Sequence, residues 1–101
     1  MYYTYMLRCT DNSIYTGITT NIERRMEEHF KQNEKCAKYT KRHKAKKLEA
    51  AWSSEDRKLA SKLEYHIKHL QKAEKEAIIK NNKKLNVLKE KVELAEYKRI
   101  K

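Results

Sequence analysis

The stretch that decides the fold runs from Tyr2 to Thr19 and reads YYTYMLRCTDNSIYTGIT. In Tyr2–Cys9, aromatic and other β-type residues alternate between two sides, which is the period-two pattern of a strand. Asp11-Asn12-Ser13 is a turn cluster, and Ile14–Thr19 again consists mainly of β-type residues. The stretch therefore predicts a β-hairpin. Gly17 lies inside its second strand, where a glycine needs a reason such as the close approach of a ligand or of backbone.

A helix is predicted directly after the hairpin. Thr20-x-x-Glu23 has the form of a capping box, which marks a helix N-terminus. Apolar residues then follow at intervals of four, namely Ile22, Met26 and Phe30. Arg25 and His29 are also four residues apart, so the helix holds their side chains together on one side, next to the apolar stripe.

The rest of the chain predicts one more strand and further helices. Leu48–Trp52 leans apolar and is short enough for a third strand, and a helix follows Ser53-x-x-Asp56. A last helix is predicted from Lys72 to Lys98. The fold class is therefore α+β, with a small three-stranded antiparallel sheet flanked by helices and an extra C-terminal helix.

The length of 101 residues allows one compact unit, which we divide into a main domain over 1–79 and a basic helical extension over 80–101. No apolar run approaches the roughly 18 residues of a membrane-spanning helix, so no membrane contact is expected. Cys9 and Cys36 are too few for a disulfide framework, which favours a reducing cytoplasm as the location.

The net charge of +11 points to a polyanionic partner, most simply a nucleic acid. Two blocks hold nearly all of it: residues 31–50 carry a net +6 and residues 80–101 a net +5. The first block is expected to be a loop, either facing a phosphate backbone or simply solvated. The second could lie along a backbone, pack on the main domain or be a partly frayed, solvated tail. Its apolar residues Leu85, Leu88 and Val92 could also associate with a protein partner or a second copy.

Several short motifs, each weak alone, occur in an order and spacing that resemble the signature of the GIY-YIG nuclease family. They are Tyr3-Thr4-Tyr5, then Tyr15-Thr16-Gly17, then Arg25 and His29, Ala37-Lys38-Tyr39-Thr40, and Leu63-Glu64-Tyr65-His66-Ile67-Lys68. The similarity covers about residues 2–79 and is greatest to a small, uncharacterised bacterial branch of the family. Ile18 departs from the pattern, because some members have a lysine at that position.

The resemblance implies a metal-dependent endonuclease that hydrolyses DNA phosphodiester bonds with Mg²⁺ or Mn²⁺. Its catalytic residues would be Tyr5, Tyr15, Arg25, His29 and Glu64, with Glu64 also the metal ligand. These residue types suit phosphodiester hydrolysis, because a guanidinium can bind phosphoryl oxygens and a carboxylate can anchor a hard cation that keeps several waters. A tyrosine is a poor base near neutral pH and needs help from a neighbouring charge. Tyr15 is the preferred base and Tyr5 its orienting partner.

Contacts to nucleic acid are expected from the basic stretch and from the glycine beside Tyr15. The residues assigned are Gly17, Lys38, Tyr39, Lys41, Arg42 and Lys44. Tyr39, surrounded by lysines, could stack on an unpaired base, which leaves single-stranded, duplex and branched DNA all open as substrates.

Two other functions compete with the endonuclease. The chain could be a nucleic-acid-binding module that keeps the fold without cleaving, or an interaction protein whose C-terminal helix docks a DNA repair or recombination partner. His66-x-x-His69 has a spacing that zinc could use, but a structural zinc site needs four ligands. We interpret both histidines as helix-surface residues.

Overall fold

The computed structural model describes residues 1–32 and 34–101, and it confirms the α+β class. The strands are β1 (Tyr2–Cys9), β2 (Ile14–Thr19), β3 (Ala45–Ser54) and β4 (Lys98–Arg99). The α-helices are α1 (Ile22–Phe30), α2 (Lys38–Arg42), α3 (Arg57–Lys68) and α4 (Lys72–Lys80), followed by 3₁₀ helices at Asn82–Leu88 and Leu94–Glu96. Within the described residues, none of these helices combines the length and apolar character that a membrane crossing requires.

The predicted hairpin is confirmed, and its first strand is central in the sheet. The strand order is β2-β1-β3-β4, and all pairs are antiparallel. At the turn, Asn12 adopts a positive φ of 70°, and the Asp11 side chain accepts a hydrogen bond from the Ser13 backbone. In the register of the hairpin, Tyr5 lies opposite Gly17. This pairing puts the one glycine beside a predicted catalytic tyrosine.

The alternation along β1 sends its side chains into two separate apolar clusters. Met6 and Trp52 belong to the larger cluster, with Leu63 and Ile67 of α3. Tyr5 and Leu7 point the other way, and Met26 of α1 packs with them. The sheet therefore lies between helices, and α1 covers the face that carries Tyr5.

The sheet has four strands, so the predicted count of three is wrong. Lys98–Arg99 pairs with Trp52 and Ser53 on the outer edge of β3. This strand consists of two charged residues, which are too few to show the alternation of apolar and polar residues that predicts a strand. Arg99 stabilises this edge by lying 5.2 Å from the Trp52 ring and by donating to the carbonyls of Ile78 and Ile79 at the end of α4.

The prediction of a single C-terminal helix from Lys72 to Lys98 is also wrong, because the segment is divided into α4, two 3₁₀ helices and the start of β4. Asn81 ends α4 with an extended backbone, and its side chain accepts from the Lys83 amide to begin the 3₁₀ helix. Leu85 and Leu88 are three residues apart, a spacing that aligns them on one side of a 3₁₀ helix. Both are buried in the larger core cluster together with Val92. Of the alternatives for this segment, a self-association seam through these three residues is therefore wrong, because they pack inside the chain.

Three other boundaries differ from the expected ones. The α1 cap is Asn21, not Thr20, since its side chain accepts from the Arg24 amide. The third strand extends beyond Leu48–Trp52 at both ends. The basic stretch expected to be a loop contains α2, a single short helix. Its Thr40 hydroxyl donates to the carbonyl of Ala37, which precedes the helix, and fixes this turn.

Candidate active site

Tyr5 lies at the centre of the candidate site and is fully buried. Its hydroxyl is 2.7 Å from Nε2 of His29, a residue that α1 carries over the same face of the sheet. Burial, and next the nearby Tyr15 phenol, raise the pKa of Tyr5 well above its usual value, although the Arg25 guanidinium opposes the shift. Tyr5 is therefore a protonated phenol at neutral pH.

His29 is also fully buried, and its ring is held at both nitrogens. Burial, and then the positive charge of Arg25, lower the pKa of His29 to about 4, so the ring is neutral at pH 7. Its Nδ1 lies 2.8 Å from the hydroxyl of Thr40, which itself donates to the Ala37 carbonyl at 3.1 Å. Because that hydroxyl has one hydrogen, the network assigns the imidazole proton to Nδ1. Nε2 is then the acceptor for the Tyr5 hydroxyl.

Gly17 is buried, and the absence of its side chain makes room for two tyrosine rings. A Cβ atom at this position would lie 2.6 Å from the Tyr5 hydroxyl oxygen and 2.9 Å from the Tyr15 ring. Contacts this short are not tolerated in a packed interior. The glycine is therefore required by the approach of the two phenols. Its assignment to nucleic-acid contact stays a prediction.

Tyr15 joins this buried pair to the surface. Its ring centroid is 6.1 Å from that of Tyr5 and 5.5 Å from the His29 ring. On the side of α2 it stacks with Tyr39 at 5.5 Å, and Tyr39 in turn stacks with His43 at 4.2 Å. His43 also contacts the carboxylate of Asp11, which ties the end of α2 to the hairpin turn. A column of aromatic rings thus leads outward from the site.

Arg25 is half-buried and projects from the same helix as His29. Its guanidinium donates to the Glu28 carboxylate and to the carbonyl of Lys35, both at 2.7 Å. It also lines an open depression of about 330 Å³ together with Arg24 and Arg57. Glu28 also lines this depression, so three guanidinium groups face one carboxylate and the excess positive charge suits phosphate oxygens.

Glu64 lies on α3 with its side chain 23% exposed. Its carboxylate is 3.3 Å from the ammonium group of Lys68, one turn on, and the same ammonium lies 5.7 Å from the centre of the Tyr15 ring. The negative charge of Glu64 also contributes to the raised pKa of Tyr5, after burial and Tyr15. Lys68 thus brings a positive charge to Tyr15. Ile18, the position at which the sequence departs from the pattern, brings none.

The chemistry of Glu64 suits a hard divalent cation. Among the described residues, no group of three or more His, Cys, Asp or Glu is arranged to hold a metal ion. Mg²⁺ keeps several of its waters and is bound by one or two carboxylates, so a single, partly exposed Glu64 meets its requirement. Zinc, which takes three or four protein ligands, is not matched by this donor set.

The predicted nucleic-acid contacts on the basic stretch lie together. The remaining one, Gly17, is buried in the hairpin. Lys38, Lys41 and Arg42 are on α2 and, with Tyr39 and His43, line an open pocket of about 650 Å³. Lys44 is exposed between α2 and β3. Because Tyr39 stacks on Tyr15, this basic surface adjoins one of the predicted catalytic residues directly.

Three residues of this arrangement could not be assigned a role from the sequence alone. Thr40 and Lys68 occur in the motifs of the family resemblance, but the resemblance implies no role for either. His43 carries no signal, because a histidine in a basic run is ordinary. Their roles depend on contacts to Tyr39, His29 and Tyr15, which the chain brings together only by folding.

Residues 1–89 match the GIY-YIG catalytic domain family. The chain is 49% identical over 78 residues to UPF0213 protein FN1575 of Fusobacterium nucleatum, covering 77% of this chain and 76% of that protein. It is 41% identical over 78 residues to UPF0213 protein YhbQ of Salmonella typhimurium, with the same two coverages. The solution NMR structure of UPF0213 protein BH0048 from Bacillus halodurans aligns with a TM-score of 0.48 at 36% identity, covering 79% of this chain and 84% of that one.

Proposed function

Since the chain belongs to the GIY-YIG family and is related to its bacterial UPF0213 proteins, we propose that it is a metal-dependent endonuclease acting on DNA. The cofactor would be Mg²⁺ or Mn²⁺. The observation that carries the proposal is the convergence of Tyr5, Tyr15 and His29, from two strands and a helix, in one cluster of rings. Arg25 and Glu64 add one charge of each sign to that cluster.

The water that attacks the phosphorus would be activated by Tyr15. The Tyr5 hydroxyl is buried, donates to His29 and has a raised pKa, all of which favour its neutral form. Tyr15 is only half-buried, and the ammonium of Lys68 lies over its ring. This difference supports the assignment of Tyr15 as the base and of Tyr5 as the group that orients it.

Arg25 would bind the non-bridging oxygens of the scissile phosphate. Its guanidinium is always charged, and its planar donors match two phosphoryl oxygens. The hydrogen bonds to Glu28 and to the Lys35 carbonyl hold it in place before any substrate arrives. Preorganised positive charge of this kind stabilises the charge that develops in the transition state.

Glu64 would hold the cation, which when bound polarises phosphoryl oxygens and makes water more acidic. The salt bridge to Lys68 orients the carboxylate on the side of Tyr15. The lysines and arginine of α2 would bind the flanking phosphates, and Tyr39 would stack on a base beyond them.

The test is a cleavage assay of the full chain with labelled single-stranded, duplex and branched DNA in Mg²⁺, Mn²⁺ or EDTA. Glu64→Gln and Arg25→Ala should each lower the cleavage rate by about 10²-fold or more, since each removes a group needed for charge stabilisation. Glu90→Gln, at an exposed carboxylate far along the chain, is the matched control and should cleave at the wild-type rate.

Product that requires metal but is unchanged by Glu64→Gln and Arg25→Ala would contradict the proposed site and indicate a contaminating nuclease. The competing function, a binding module without cleavage, is favoured by one observation: Arg25 and Glu64 already have protein partners. It predicts binding that weakens steeply with salt and no product with either metal.

A further inference from the structure

One side of α3 carries aromatic and basic residues that the proposed chemistry does not use. Lys62, Tyr65, His66 and His69 follow a spacing of i, i+3, i+4 and i+7, which puts them on one side of the helix, away from the buried Leu63. Tyr65 is 58% exposed, which is unusual for so large a ring. A large aromatic ring that is exposed to this extent is a candidate contact surface.

Both histidines contact the Tyr65 ring. The His66 ring meets it edge-on at 5.1 Å, and the His69 ring lies 4.3 Å from it at 35°. His69 Nδ1 donates to the backbone carbonyl of Tyr65 at 2.7 Å, which fixes the imidazole in this position. The three rings therefore form a preorganised surface, and little side-chain freedom is lost when a ligand stacks on it.

The surroundings of this surface are positively charged. Lys62 and Lys91 place positive charge close to the His66 imidazole. Lys68, three residues after Tyr65, lies on the side that faces the candidate site, where its ammonium pairs with the Glu64 carboxylate. An aromatic ring among cationic groups is complementary to a nucleobase attached to a phosphate backbone, whereas an apolar protein partner would gain nothing from the charge.

The position of this surface relates it to the site. Tyr65 directly follows Glu64, and Lys68 lies over the ring of Tyr15. The ring column of Tyr39 and His43 reaches Tyr15 from α2, so α3 offers a separate aromatic contact beside the same tyrosine. A strand whose phosphate lies near Tyr15 would therefore also lie near Lys68, which is three residues from Tyr65 on the same helix.

We infer that Tyr65, flanked by His66 and His69, is a stacking platform for one unpaired nucleobase of the strand held at the site. The inference rests on the proposed function only in assuming that a DNA strand lies at the candidate site. The contact itself is a binding property and can be measured without cleavage. It would distinguish substrates with an unpaired base next to the cut phosphate from continuous duplex.

The first experiment measures the Kd of a fluorescently labelled single-stranded oligonucleotide by anisotropy, with the full chain in EDTA. Tyr65→Ala should weaken binding about tenfold, and Tyr65→Phe should bind like the wild type, since stacking needs the ring and not the hydroxyl. Val87→Ala, at an exposed apolar residue outside α3, is the matched control. The slope of log Kd against log salt should be unchanged in Tyr65→Ala, because no phosphate contact is removed.

The second experiment places a single abasic nucleotide at each position of the oligonucleotide in turn. At one position the wild type should lose about tenfold in affinity while Tyr65→Ala loses nothing further. Equal binding by the wild type and Tyr65→Ala would overturn the platform. So would a loss from Tyr65→Ala that adds to the loss from the abasic nucleotide at every position. Coupled losses without any cleavage in Mg²⁺ or Mn²⁺ would support the platform and reject the endonuclease, so the two failures are distinguishable.

Discussion

The candidate site has a buried end and an open end, and they are held together in different ways. The buried end consists of Tyr5, Gly17, His29 and Thr40, whose side-chain positions lie inside the protein. Each polar side chain there is hydrogen-bonded within the protein, in a chain from the Tyr5 hydroxyl to the Ala37 carbonyl. In this end, shape and hydrogen bonding decide the structure, because water cannot replace a lost partner.

The open end consists of Tyr39, His43, Glu64 and Lys68, all partly or fully exposed. Their contacts are ring stacking and ion pairs, which contribute little to folding in water. Changes at the buried end should therefore affect stability and activity together. Changes at the open end should affect the binding of DNA or of the proposed cation, and through it cleavage, while leaving the fold intact.

Gly17→Val should have the largest effect, because the new side chain would displace both phenols at the buried end. We expect about 3 kcal/mol of destabilisation from overpacking and at least a roughly 10²-fold loss of cleavage from misplaced catalytic groups. Urea unfolding and the cleavage assay measure the two effects. Ile18→Val, on the same strand, is the control and should change neither by much. Normal cleavage by Gly17→Val would show that the phenols tolerate displacement.

The pH dependence of stability should report on His29. Its pKa is about 4 in the folded chain and about 6.5 when unfolded, so the unfolded chain binds more protons between these values. Stability should therefore be constant above about pH 7 and fall by about 2 kcal/mol from pH 7 to pH 5 because of this group. Arg25 and Glu28 also act on the ring, in opposite directions, and both stay charged in this range.

The measurement is urea unfolding of the wild type and of His29→Gln at both pH values. The wild type should lose about 2 kcal/mol more than the variant over this interval. His69→Gln, at an exposed imidazole, should follow the wild type. Parallel losses in the wild type and His29→Gln would mean that the buried imidazole is protonated in the folded chain, and the hydrogen-bond directions at Tyr5 would have to be reversed.

Much of the fold could be predicted from sequence because its signals are local. The alternation in Tyr2–Cys9 and the apolar stripe of α1 are each visible within one element. The elements that sequence missed are short. Lys98–Arg99 and α2 have two and five residues, too few for any period to appear. Their structure depends on distant partners such as the Trp52 edge of β3.

In the candidate site, too, the features within one element could be predicted and the contacts between elements could not. Arg25 and His29 are predicted to share a side of one helix, because four-residue spacing requires it. The contact between His29 and Thr40 could not be predicted, since it joins residues of two different helices and no pattern within either helix encodes it. For Gly17 the sequence predicts the close approach of a ligand or of backbone, whereas the nearest atoms are side-chain atoms. That the approaching groups are tyrosine rings follows from the register of the hairpin.

Thr40→Val should have an intermediate effect at the buried end. The change keeps the shape but removes the acceptor of the His29 Nδ1 proton, which should cost about 1 to 2 kcal/mol. Thr40→Ser restores the hydroxyl and should recover most of it. Nitrogen NMR of the imidazole should report a proton on Nδ1 in the wild type and in Thr40→Ser. A proton on Nε2 in the wild type would contradict the network and make Tyr5 an acceptor.

Lys41→Ala should have the smallest effect on stability, since the side chain is exposed at the open end. The free energy of unfolding should change by no more than about 0.5 kcal/mol. If the lysine contacts a phosphate, binding should weaken about equally for all DNA sequences, and the slope of log Kd against log salt should decrease by about one. Glu27→Gln, at an exposed pair with Lys31, is a control that should alter neither quantity by much. An unchanged salt slope in Lys41→Ala would mean that α2 does not hold the backbone, and the difference between the two ends would then be one of burial alone.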